Sequence, residues 1–134
     1  MNTPHELSPA GPVVIVVDDD AAVRNSLRFS LEVEGFAVRD YASGAELLKD
    51  TGRSGGGCLV VDQNMPGMTG LDLVARLRER AITFPIILMA SRVTPVLRER
   101  AIRAGISLVE KPLLGNLLLD RIRGAFSHAT IAGE

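Results

Sequence analysis

The chain has 134 residues, 46% hydrophobic and 23% charged, with a formal net charge of −1, which suits one compact domain around one core. Its basic residues are spread through helical stretches without a run of them, which argues against direct nucleic-acid binding, because phosphate contacts need a concentrated basic face. A single cysteine, Cys58, excludes an internal disulfide and fits a reducing compartment. No apolar run approaches the roughly 20 residues of a membrane span, and "MNTPHELSPAGP" lacks the layout of a signal peptide. The expectation is a cytoplasmic, single-domain protein without membrane contact.

Residues 1–12 carry three prolines and a glycine and read as a flexible leader. "VVIVV" is a short β-branched run of the kind buried on both faces of a parallel sheet. From Ala21 to Glu34 the spacing turns helical, with Val23, Leu27 and Leu31 on one face and Arg24, Arg28 and Glu32 on another. Gly35 stops that helix. "FAVRDYA" reads as a weak edge strand, Ser43 opens a short helix through "AELLK", and "TGRSGGG" is a flexible loop. "CLVV" is a buried strand ending at Asp62, and Thr69 can cap the helix "GLDLVARLRERA". Beyond Pro85 come the strand "IILMA", the helix "VLRERAIRAG", the strand "SLVE" and a closing helix, "NLLLDRIRGAF". The domain spans 13–127, and residues 128–134 read as a flexible tail or the start of a linker.

Strands alternating with helices predict a parallel sheet covered on both faces. Ligands of such sheets sit outside the carboxyl ends of the strands, where strand order reverses. That is where the unusual residues fall. Asp18, Asp19 and Asp20 follow the first strand directly, and two unit charges about 5 Å apart repel by roughly 3 kcal/mol at an effective dielectric near 20. The third strand brings Asp62 and the fifth brings Lys111. Three carboxylates and one ammonium leave a net charge of about −2, which suits Mg²⁺, a hard cation that binds through carboxylates, waters and phosphate oxygens. A carboxylate beside Mg²⁺ and a fixed lysine can also attack phosphorus and form an aspartyl phosphate.

With "VDDD" at 17–20, "DQNMPGMTG" at 62–70 and "KP" at 111–112, the chain resembles the response-regulator receiver domain of two-component signalling, of the chemotaxis-regulator kind, over roughly residues 13–127. The resemblance implies a flavodoxin-like α/β fold, a five-stranded parallel sheet of order 2-1-3-4-5 with five helices on both faces. It makes Asp62 the phosphoacceptor and Lys111 the phosphate-pairing residue, with Lys111–Pro112 a cis peptide. Asp18, Asp19, Asp62 and the Asn64 backbone carbonyl would hold Mg²⁺, replaceable by Mn²⁺, while Asp20 caps the first helix. The implied partners are a histidine kinase or phosphotransfer protein, and a downstream target on the face of the fourth helix, fifth strand and fifth helix. Homodimerisation is left open. Covalent chemistry is limited to self-phosphorylation from small donors and self-dephosphorylation, so no enzyme is implied.

The sequence also departs from that family. The usual Thr or Ser at the end of the fourth strand is Ala90, with Ser91 beside it, and the usual aromatic residue three places before the lysine is Leu108. The expectation is a domain that is phosphorylated but switches atypically. Two other readings stand beside it. One is a pseudo-receiver that docks partners without phosphorylation. The other is a haloacid-dehalogenase-type phosphatase with Asp18 as nucleophile and Asp20 as acid. Cys58 is expected to pack in the third strand, Met65 and Met68 to pack locally, and His5 and His128 to be solvated.

Overall fold

The computed structural model describes residues 13–50, 57–111 and 116–133, with side chains as far as residue 127. The leader at 1–12, the segment at 51–56, His5, Pro112 with the cis peptide expected before it, and the His128 side chain lie outside the described residues. Strands and helices alternate as β1 (Val13–Val17), α1 (Ala21–Val33), β2 (Ala37–Tyr41), α2 (Gly44–Lys49), β3 (Cys58–Asp62), α3 (Gly70–Glu79), β4 (Ile86–Ala90), α4 (Pro95–Ala104), β5 (Ser107–Glu110) and α5 (Leu117–Gly133). All neighbouring strands pair in parallel. Their order is β2-β1-β3-β4-β5, the flavodoxin-like arrangement expected from the sequence.

The apolar runs of β1, β3 and β4 supply both faces of the sheet because successive side chains point to opposite sides. Ile15, Val17, Leu59, Val61, Leu88 and Ala90 pack on one side, against Leu47 of α2, Leu73 and Leu77 of α3, and Leu97 of α4. Val14, Val16, Cys58, Val60, Ile87 and Met89 pack on the other, against Leu27 and Leu31 of α1 and Leu118 and Ile122 of α5. Burying each such side chain fully is worth about 1.5–3 kcal/mol relative to exposing it. A strict apolar-polar alternation would leave one of these layers without a core.

Helix ends follow local chemistry. Gly35 adopts φ +98°, and the Phe36 N–H donates to the Leu31 carbonyl at 3.1 Å, closing α1 where the glycine predicts. Thr69 caps α3 reciprocally: its Oγ1 accepts the Asp72 N–H at 3.1 Å, and Asp72 Oδ2 accepts the Thr69 N–H at 3.0 Å. The sequence pattern carries α3 to Ala81, whereas the helix ends at Glu79. Ala81 takes φ +62°, and the Ile82 N–H returns to the Leu77 carbonyl at 3.0 Å, so the last turn unwinds early. In the opposite sense, α5 runs to Gly133, beyond the closing helix expected to end at Phe126. "SHATIA" contains neither proline nor glycine to stop it.

Candidate functional site

Two crossovers leave β1 and β3 in opposite directions along the sheet, so the carboxyl ends of these neighbouring strands flank the switch point. Asp18 follows the last residue of β1, and Asp62 is the last residue of β3. Both are buried, at 0% and 3% relative exposure, and they are the buried charged residues among those described. Asp19 is exposed at the mouth. One carboxylate oxygen from each of Asp18, Asp19 and Asp62 lies within 4.8 Å of the others. Hard oxygen donors gathered this closely fit a divalent cation of the Mg²⁺ class.

Lys111 follows β5. Its backbone N–H bonds the Ala90 carbonyl at 2.8 Å, which continues the ladder past the strand end. Its Nζ then reaches 3.3 Å from Asp18 Oδ2 and 3.3 Å from Asp62 Oδ1. Burial pulls the ammonium's pKa down, but the Asp62 and Asp18 carboxylates outweigh it, and Lys111 titrates above its ordinary value. Burial pushes Asp62 up. The Asn64 N–H on Oδ1 opposes that, Asp18 pushes up again and Lys111 pulls down, leaving Asp62 above the ordinary carboxylate range. One ammonium does not fully offset two buried acids, so the site favours additional positive charge.

Asp20 stands apart from this group. Its Oδ1 accepts the Ala22 and Val23 N–H groups at 2.9 and 3.3 Å, capping α1 as expected. The Asp20 N–H in turn donates to Asp18 Oδ1 at 2.9 Å. Asp20 is therefore a helix cap, outside the group of acids that gathers around Lys111.

Asn64 sits in the turn after β3, and its N–H donates to Asp62 Oδ1 at 3.3 Å. Ala90 is fully buried with its methyl in the core. Ser91 is exposed and donates its N–H to Asn64 Oδ1 at 3.3 Å. Leu108 is partly buried against the same core layer as Ala90. The structure thus brings Asp18, Asp19, Asp62 and Lys111 together. It places Ala90 at the end of β4 and Ser91 at the start of the adjoining loop, and keeps Leu108 within the sheet.

Two supporting residues were not legible in the sequence. Arg24, grouped by spacing with the outer face of α1, donates through Nη1 to the Asp18 carbonyl at 2.8 Å and lies 3.8 Å from Asp40. Gln63 accepts the Leu71 N–H on Oε1 at 2.9 Å and the Gly70 N–H on its carbonyl at 3.2 Å, binding the end of β3 to the start of α3. Neither residue type carries a spacing signal, since each acts on backbone that only the folded sheet brings near.

Comparison with known proteins places this geometry. The family model described as the response regulator receiver domain matches residues 14–123. The chain is 34% identical over 124 residues to the response regulator protein TodT of Pseudomonas putida, covering 92% of this chain and 55% of that protein. It is 33% identical over 122 residues to the transcriptional regulatory protein FixJ of Bradyrhizobium diazoefficiens, covering 90% of this chain and 60% of that one. A crystal structure of full-length FixJ from B. japonicum superposes with a TM-score of 0.83 at 32% identity, over 91% of this chain and 61% of that one. The chain therefore spans little more than half the length of the curated relatives it matches. With its sheet order, its buried acids and its lysine in the arrangement described, the chain belongs to the response regulator receiver domain family.

Proposed function

We propose that Asp62 accepts a phosphoryl group from a phosphohistidine on a partner histidine kinase or phosphotransfer protein. The observation that carries this reading is the pairing of buried Asp62 with Lys111 at 3.3 Å, beside two further acids at the switch point. Asp18, Asp19, Asp62 and the Asn64 backbone carbonyl would hold Mg²⁺ or Mn²⁺, which supplies charge neutralisation to the acids and the phosphoryl oxygens when bound. A carboxylate oxygen of Asp62 attacks phosphorus, the phosphorus–nitrogen bond to the histidine breaks, and the electron pair returns to the imidazole. The Lys111 ammonium pairs with the phosphoryl oxygens as charge develops on them. Water later attacks phosphorus, the bond to Asp62 breaks, and the carboxylate and inorganic phosphate are released.

The switch is atypical in this reading. A hydrogen bond to a charged group contributes roughly 1.5–3 kcal/mol, and driving a two-state equilibrium from 1:99 to 99:1 takes about 5.5 kcal/mol. Ala90 and Leu108 remove a substantial share of that drive without touching the chemistry at Asp62. The target surface is the face of α4, β5 and α5, in a protein working in the cytoplasm. Among the described residues no helix is long and apolar enough to cross a membrane.

Ala90 and Leu108 also favour a second reading, a docking module that is never phosphorylated. Intact mass after incubation with Mg²⁺ and a small phosphoryl donor separates the two. Phosphoacceptor function requires gain of one phosphoryl group in the parent and none in Asp62→Asn. A folded, metal-bound protein that gains nothing from the small donor or from histidine-kinase phosphodonors is the docking module.

A further inference from the structure

Four contacts form a closed ring around the phosphoacceptor. Lys111 Nζ lies 3.3 Å from Asp62 Oδ1, and that same oxygen accepts the Asn64 N–H at 3.3 Å. The Asn64 side-chain Oδ1 accepts the Ser91 N–H at 3.3 Å. Ala90, one residue before, accepts the Lys111 N–H at 2.8 Å. Asp62 is thereby connected to the loop after β4 through a carboxamide, at a place where Ala90 offers no hydroxyl.

We propose that the Asn64 side chain is a latch on the Ser91 amide, which holds the β4–α4 loop in its resting position until a phosphoryl group on Asp62 replaces it as acceptor. This rests on the phosphoacceptor reading given above. Both N–H···O distances at Asn64 exceed the usual 2.9–3.0 Å, so these are weak bonds, open to exchange. A phosphoryl oxygen is a charged acceptor, and hydrogen bonds to charged groups are roughly twice as strong as neutral ones. The Ser91 N–H therefore gains by leaving the carboxamide for the phosphoryl oxygen. Asn64 is exposed, so its released side chain is hydrated at little cost.

The consequence travels a short distance. Only Arg92 and Val93 separate Ser91 from Thr94, whose Oγ1 caps α4 by accepting the Leu97 N–H at 3.1 Å. A change at Ser91 thus reaches the first turn of α4 through backbone alone. That route needs neither a hydroxyl at position 90 nor an aromatic ring at position 108.

The test is amide NMR on the 134-residue chain, with intact mass and the Ser91 resonance also followed in parent incubated with Mg²⁺ and a small phosphoryl donor. Asn64→Ala keeps the backbone and removes the latch. Without any phosphoryl donor, it should move the amide resonances of 91–97 toward the positions they take in the parent with Mg²⁺ and beryllofluoride. Ser91 amide exchange should quicken roughly two- to fivefold, as fits loss of one bond at the weak end of the usual net range. Asn64→Asp retains an oxygen acceptor and should return the Ser91 resonance toward the resting parent. Resonances of 91–97 that stay at parent positions in Asn64→Ala overturn the latch. So does a parent that gains a phosphoryl group by mass while Ser91 does not move. A folded parent that gains no phosphoryl group from the small donor or from histidine-kinase phosphodonors overturns the phosphoacceptor reading itself, and the latch falls with it.

Discussion

Lys111 and Asp62 stand at the ends of β5 and β3, two strands separated by β4, and the lysine Nζ nevertheless lies 3.3 Å from Asp62 Oδ1. The lysine backbone is fixed by its bond to the Ala90 carbonyl, and its stem passes over the end of the intervening strand. Replacing Lys111 by Ala leaves two buried carboxylates facing one another without their cation. The expected cost to the metal-free fold is about 1–3 kcal/mol, read as a lower melting temperature. Phosphoryl gain from a small donor should fall roughly 10²–10³-fold, the usual cost of deleting a fixed donor to developing negative charge. Unchanged phosphorylation kinetics in this variant would remove Lys111 from the chemistry.

Asp62 titrates above the ordinary carboxylate range, first because it is buried. A raised folded-state pKa places its stabilising contribution below the unfolded value of about 3.9, and that contribution is lost as pH rises through the folded value. The neutral isostere in Asp62→Asn escapes this loss. Melting of the metal-free proteins should therefore show the variant more stable than the parent at pH 7, with the gap closing toward pH 4. Mg²⁺ at one hundred times its dissociation constant should then stabilise the parent by about 2.7 kcal/mol and the variant by distinctly less. A parent that melts above Asp62→Asn at neutral pH without metal contradicts the charge balance described for the site.

Gly70, the first residue of α3, packs against the backbone of Asp62. A Cβ built there would stand 2.8 Å from the Asp62 carbonyl oxygen and 2.5 Å from Leu88 Cδ1. The leucine tip can turn aside, but the carbonyl belongs to the strand that carries the phosphoacceptor. Gly70→Ala should cost about 1–3 kcal/mol, as overpacking of a tight contact does. It should also weaken Mg²⁺ binding measured by calorimetry, because relief of the clash moves the end of β3. A variant with the parent's melting temperature and metal affinity would show that the helix start is free to shift.

Much of this arrangement is legible in the chain itself. "VVIVV" and "IILMA" are apolar without alternation, which identifies strands covered on both faces, and Ser43, Thr69 and Gly35 mark the helix ends they occupy. The acids and the lysine are legible because Asp18 and Asp62 end apolar runs and Lys111 follows the short strand "SLVE", so strand polarity alone sends them to one edge. What escapes is contact between side chain and distant backbone. Arg24 fits the periodicity of an outer helix face, yet its guanidinium turns back to the Asp18 carbonyl. Gln63 looks like any polar turn residue until α3 is folded against it. The Asn64–Ser91 contact joins residues 27 positions apart and has no local pattern at all.

Cys58 begins β3, fully buried in the layer under α1 and α5. Burial pushes its thiol up to about 12, so almost no thiolate exists near neutral pH and none of its surface meets solvent. A thiol reagent at pH 8 should leave the native protein unmodified and add once per chain in denaturant. Cys58→Ser places a hydroxyl in the same layer beside Val14 and Val60 and should cost about 1–3 kcal/mol of stability. Cys58→Ala, which buries no polar atom, should cost less than the serine variant despite losing more volume. If alanine is instead the more damaging change, packing volume rather than polarity governs this layer. Rapid labelling of the folded protein, in turn, would mean that β3 opens locally, and with it the strand that presents Asp62.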